Sequence, residues 1–302
     1  MKRAVGLEDS THPASVMTSP LWTHRLAATP GGVALARESG HVLAWDQNCW
    51  LVLLGRHGKV QAQSRLEAGI AAATISEDGS VVADADDRGT VTWRTPDLAV
   101  RWQHRLDRRP IAVALDALGR ALAVADAAGR VHLFATDGRT PWPAIVLPRP
   151  VIHLAFAPTA PALFAAADFG LITCLDLGQR RPAWQDAPVV HVGSLAVAGN
   201  PAVAIAGCFS EGLRRYALTG TPLALPTIPT PEPCRFVATT FAGDQFLVSG
   251  VFGGFHRLAA DGTVLTADKL DQPAVGLSWT PRGEAAIVAL ADGLVMSFES
   301  RL

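Results

Sequence analysis

Apolar residues in this chain fall in short runs that are broken at regular intervals by Asp, Gly and Pro. The stretch 151–184 shows the pattern most plainly. Val151–Ala157 and Leu163–Ala167 have strand character and are separated by a Pro-rich corner. Asp168-Phe169-Gly170 then leads into Leu171–Leu175, and Gly178-Gln179 leads into a polar edge ending at Trp184. Short β-branched and apolar runs bounded by turn residues read as β-strands. A four-stranded unit of this kind cannot bury both faces alone, so it needs copies of itself as neighbours.

The chain supplies those copies. One apolar column in the first strand of each unit reads Leu35, Ile75, Leu115, Phe156, Val197, Phe241 and Trp279, with successive spacings of 40, 40, 41, 41, 44 and 38 residues. A second column marks the turn between the second and third strands: Asp46, Asp86, Asp126, Asp168, the 208–212 loop, Gly253-Gly254 and Asp292-Gly293. A third marks the following turn, with Arg56-His57-Gly58, Asp97, Asp137-Gly138, Gly178, Gly220 and Asp261-Gly262. Asp and Gly recur because such turns favour a side chain that bonds its own backbone and a residue that tolerates positive φ.

The units begin near 31, 69, 110, 150, 191, 233 and 273, and the seventh has only three strands of its own. Residues 19–26, Ser19 to Leu26, match the outer strand Val100–Leu106 yet have no partner nearby in sequence. Placing them as the fourth strand of the last unit closes a ring and removes the open edge of an array of sheets. The expectation is therefore an all-β, seven-bladed β-propeller of four-stranded antiparallel blades over 19–302, preceded by a tail at 1–18. First strands such as Ile152–Ala157 alternate large with small residues, as strands crowded around an axis require, and fourth strands are polar enough for a rim.

On these residues the chain resembles the WD40-like β-propeller superfamily. The resemblance is carried by Leu154–Pro158 and Leu277–Gly283, which look like the family's first-strand ending and following turn. It is carried also by the turns at 86–89 and 126–129 and by third strands such as Val131–Phe134. The borrowed N-terminal strand is a family habit too. The family's Gly-His and Trp-Asp pairs are absent at their expected places, since Trp45-Asp46 ends a second strand. Trp22, Trp102, Trp142 and Trp184, all placed on fourth strands, are instead similar to quinoprotein-like propellers.

Composition narrows the chemistry. The chain has 302 residues, 49% hydrophobic, with a formal net charge of −1. A dedicated nucleic-acid binder would carry a basic stripe, so none is expected as partner. No apolar segment approaches the ~20 residues that a membrane span requires, and no apolar leader precedes the repeats, so the cytoplasm is the expected compartment. Cys49, Cys174, Cys208 and Cys234 form no paired motif and read as reduced fillers of strands. The scattered histidines have no metal-ligand spacing, and the axial strands offer only His153, with Asp116 near a strand end; neither metal nor cofactor is expected.

Loops sorted by face are more informative. Turns after second strands and loops after fourth strands emerge on one end of a propeller. That end collects Arg88, Arg108, Arg109 and Arg149 from units two to four, and Phe169, Phe209 and Phe252 from units four to six. Arg and Phe at loop tips suit an interface. The reading is a non-catalytic scaffold or structural subunit binding one or more proteins through this face. The alternative is a propeller enzyme of lactonase or hydrolase type, or a small-ligand binder, using the axial channel.

Overall fold

The computed structural model describes residues 19–140, 142–221 and 223–300. Within them the chain forms seven four-stranded antiparallel sheets and no helix. The first strands, Pro30–Leu35, Ile70–Ile75, Pro110–Leu115, His153–Phe156, Val192–Gly199, Cys234–Thr239 and Ala274–Trp279, stand innermost. The ring is closed as the repeat pattern requires. Trp22–Arg25 pairs with Leu294–Glu299 of the last blade, Trp22 opposite Ser297 and Arg25 opposite Leu294.

Second strands are buried on both faces: Val42–Asp46 and Ala162–Ala166 have no exposed residue. The core lies between blades rather than within them. Leu43, Leu51 and Leu53 of the first blade pack with Ile75 and Val82 of the second. The closing seam is built alike, from Val42, Val52 and Leu54 on one side and Leu26, Ile287 and Val295 on the other. Because each blade supplies half of two such layers, removing any one exposes apolar surface on both neighbours.

The register settles two positions differently from the sequence pattern. In every other blade the column residue of the first strand faces the residue seven positions on, as Ile75 faces Val82, Val197 faces Ala204 and Trp279 faces Ala286. In the sixth blade that pair is Thr239 and Phe246, so Thr239 and not Phe241 belongs to the apolar column. Phe241 lies beyond the strand and sits where a Cβ on Gly199 would stand. Trp142 likewise precedes its blade's short fourth strand, Ile145–Val146, instead of lying on it.

The other three fourth-strand tryptophans bolt neighbouring blades together. The Nε1 donors of Trp22, Trp102 and Trp184 bond the carbonyls of Arg56, Thr136 and Leu218 in the next blade, at 3.1, 3.0 and 2.9 Å. Each ring covers the glycine two residues further on. Ring carbons lie 2.6, 2.9 and 2.6 Å from where a Cβ would stand on Gly58, Gly138 and Gly220. Only glycine fits there, and all three have φ near +75°. Between the first and second blades the sizes are exchanged. Ala62 takes the tryptophan's place, and buried Leu98, at φ 65°, takes the glycine's.

Candidate functional site

Asp residues at the ends of second strands shape the turns of one end of the ring. The Asp86 carboxylate accepts from the N–H groups of Arg88 and Thr90, and Asp46 and Asp126 do the same in their blades. These bonds satisfy donors that the tight turn leaves outside the ladder. Each turn is also tied to the loop entering its own blade. Gln47, Asp87, Ala127, Phe209, Val251 and Ala291 donate their N–H to carbonyls 18 residues back, at 2.8 to 3.1 Å. The fourth blade departs from this. Its turn bonds forward to the next loop, Gly170 N–H to Pro188 and Val192 N–H to Asp168.

On this framework Arg88 stands exposed at a turn tip, Arg108 and Arg109 are exposed between the second and third blades, and Arg149 is exposed between the third and fourth. The Arg149 guanidinium lies against Gly170, next to Phe169. Phe169 is 47% exposed and Phe252 71%, while Phe209 is half-buried. Phe169 and Phe209 are brought into one cluster by His191, whose ring lies 5.7 Å from the first and 4.3 Å edge-on from the second. The His191 Nδ1 also contacts the Asp168 carboxylate. Phe252 stands apart from that cluster on the sixth blade. The sequence reading missed His191, and it missed Val189, which is 90% exposed beside it. Both sit in the loop to which the fourth blade's turn bonds forward, a departure that no repeated column marks.

Two open cavities of about 350 and 330 Å³ lie along the axis. Most of the side chains that line them are apolar, among them Leu35, Ile75, Leu115 and Trp279 in one and Ile111 and Phe236 in the other, although the wall surface itself is at least as polar as apolar. Phe156 is only half-buried because it faces this space. The polar side chains are few. Arg37 and Glu77 form a half-buried ion pair, with Arg37 Nε 2.9 Å from Glu77 Oε2. His153 donates from Nε2 to the Val192 carbonyl, 3.1 Å away, and burial holds its pKa below the usual value. Asp116 is occupied by its own turn, accepting from Ala121 N–H at 2.9 Å. Among the described residues no group of three or more His, Cys, Asp or Glu is placed to hold a metal ion.

The thiols are structural in placement. Cys174, Cys208 and Cys234 are buried in strands, and burial pushes Cys174 and Cys208 up to about 11 and Cys234 higher still. Such thiols stay protonated and unreactive near neutral pH. No described helix is long and apolar enough to cross a membrane.

No family model matches the chain, and no curated protein does. Solved structures match it in number, 1899 chains, which marks the fold as widely shared. One is the β-propeller domain of Myceliophteria thermophila Cps50 (Swd1), which superposes with a TM-score of 0.77 over 94% of this chain and 99% of that one, at 12% identity. Likeness at that identity speaks to fold. The chain has the seven-bladed β-propeller fold.

Proposed function

We propose that this propeller is a non-catalytic scaffold that holds a protein partner on the end bearing Arg88, Arg108, Arg109, Arg149, Phe169, Phe209 and Phe252. The observation that carries the reading is the pairing, on one backbone-tied end, of exposed guanidinium groups over blades two to four with exposed Phe169 and Phe252 and half-buried Phe209 over blades four to six. Loops already fixed by hydrogen bonds lose little entropy when a partner docks. Arg and large aromatic side chains are the residues on which binding energy concentrates. The axial cavities offer no comparable set of converging polar groups.

Two kinds of change separate the roles. Phe169→Ala with Phe252→Ala removes apolar anchors and is expected to speed dissociation while leaving association nearly unchanged. Arg108→Glu with Arg109→Glu is expected to slow association with an acidic partner, and added salt should shrink that difference. Binding kinetics to the protein recovered by affinity pull-down, at two salt concentrations and beside melting curves, make the check. Wild-type binding by both variants at wild-type stability would move the working surface elsewhere.

A further inference from the structure

The second blade buries an ion pair in the middle of one face, at positions where the other blades carry no charged residue. Asp84, in the middle of the strand Val82–Asp86, faces Thr92, which faces Gln103; Arg94 lies on the same face. Forty residues to either side, Asp84 is replaced by Ala44 and Val124, and Arg94 by Leu54 and Phe134. Asp84, Thr92 and Arg94 are 1%, 2% and 6% exposed. The Arg94 guanidinium contacts the Asp84 carboxylate and donates to the Leu98 carbonyl at 3.1 Å. A buried ion pair is weak support for stability, and apolar residues of similar volume often do as well or better. Five blades use them at both positions, and the fifth has Ala206 with Tyr216. The second blade keeps its charges beside a cleft of about 440 Å³, walled by this face and by Ser64–Ala68 of the first blade.

The cleft opens on the same end as Arg88. Around its lip stand Arg65, Arg88 and Arg105, all exposed and none in an ion pair among the described residues. Arg94 on the floor is neutralised by Asp84, while Asp86, oriented by turn N–H groups on its Oδ1, keeps its charge at the edge of the cleft. The three lip guanidinium groups stand among Glu67, Asp86 and Asp87, so what the lip offers is local forked donors and not a net positive field. Unpaired guanidinium groups beside a partly desolvated floor suit a carboxylate, which they grip in bidentate fashion. The intervening Glu67, Asp87 and Asp107 suit separated negative charges better than the unbroken charge of a nucleic acid.

We propose that this cleft receives a carboxylate side chain from an acidic segment of the protein partner, with Arg65, Arg88 and Arg105 as its ligands. The inference rests on the partner-binding reading above and adds the partner's chemistry. From the cleft, exposed Arg108, Arg109 and Arg149 lead to Phe169, so the segment is acidic at one end and apolar at the other.

The probe is a short fluorescent peptide with glutamates followed by phenylalanines, compared with its glutamine counterpart and with oligo-dT on the full chain. The glutamate peptide is expected to bind more tightly than the other two. Arg65→Ala with Arg105→Ala should weaken it by about tenfold or more, as loss of charge-assisted hydrogen bonds predicts. Arg65→Lys with Arg105→Lys should recover only part, since Lys lacks the bidentate fork. Arg139→Ala, an exposed arginine on the opposite end, should change nothing and controls for net charge. Equal binding by wild type and the Arg65/Arg105 double alanine variant overturns the cleft. If Phe169→Ala with Phe252→Ala still weakens that binding, the face itself stands. Absence of glutamate-peptide binding, or tighter binding of oligo-dT, overturns the acidic-segment proposal outright.

Discussion

Cys49 holds φ at 66° in a turn where the other six blades place a left-handed glycine, as at Gly89, Gly129 and Gly293. A side chain there costs about 1–2 kcal/mol, partly offset by the extra freedom glycine would bring to the unfolded chain. Cys49→Gly is therefore expected to stabilise the fold by roughly 0.5–1 kcal/mol, seen as a Tm rise of about 1–4 °C. No change or a fall would mean that packing of the half-buried thiol outweighs the strain. At this scale the turn carboxylates were legible in the sequence, because an Asp that bonds its own turn recurs wherever the turn recurs. Asp84 was legible in principle, as the one charged residue in a column of Ala and Val, but a column read for its common feature hides its exception. His191 left no such trace.

Between neighbouring blades the recurring device is a large residue on one fourth strand and a residue with no side chain in the next blade's turn. The Ala62–Leu98 pair inverts it, which makes the interface between the first two blades a natural double-mutant cycle. Ala62→Trp alone should clash with Leu98 and cost about 1–3 kcal/mol. Leu98→Gly alone should cost about 2–5 kcal/mol by opening a cavity, less whatever strain its positive φ stores. Together they rebuild the arrangement of Trp102 on Gly138, and the Pro96 carbonyl falls at the spacing of the tryptophan's acceptor. The double variant is thus expected to be more stable than the sum of the singles by about 1–3 kcal/mol, measured by denaturant unfolding. Additivity would show that the two positions do not meet as the other pairs do. The tryptophans were visible in the sequence as a fourth-strand feature, and their glycines as turn residues. That each tryptophan serves the following blade's glycine follows only from the ring, because the two columns belong to different units. Trp142 shows the limit. Its spacing to Gly178 matches the others, yet its blade's fourth strand is cut to two residues and its ring instead stacks with Arg180, 4.5 Å away.

At the scale of the whole molecule, seven interblade layers share the stability and the first and last strands share one sheet. Deletion through Leu26 removes Trp22–Arg25, the Trp22 bond to Arg56 and a buried leucine of the closing layer at one stroke. It bares the Leu294–Glu299 edge, so aggregation and loss of a single cooperative unfolding transition are expected in calorimetry. Retained cooperativity would mean that the ring tolerates an open blade. Ring closure could be read from the sequence because an outer strand without neighbours and a blade lacking its outer strand are complementary absences. The proposed partner face was legible only as loops sorted to one end. Which side chains touch there depends on the fourth blade's departure from the common loop bonding, for which the sequence carries no periodic mark. The closing pair has a further meaning during synthesis. Its two strands lie about 270 residues apart, so at the ribosome's ~5–20 residues per second the first waits on the order of 15–50 s for the second. A strand that must wait in the open should not invite other chains, and this one is four residues long with Thr23 and Arg25 turned outward. Its polarity is a rim property in the finished ring. In the nascent chain it is what keeps the last joint free until its partner arrives.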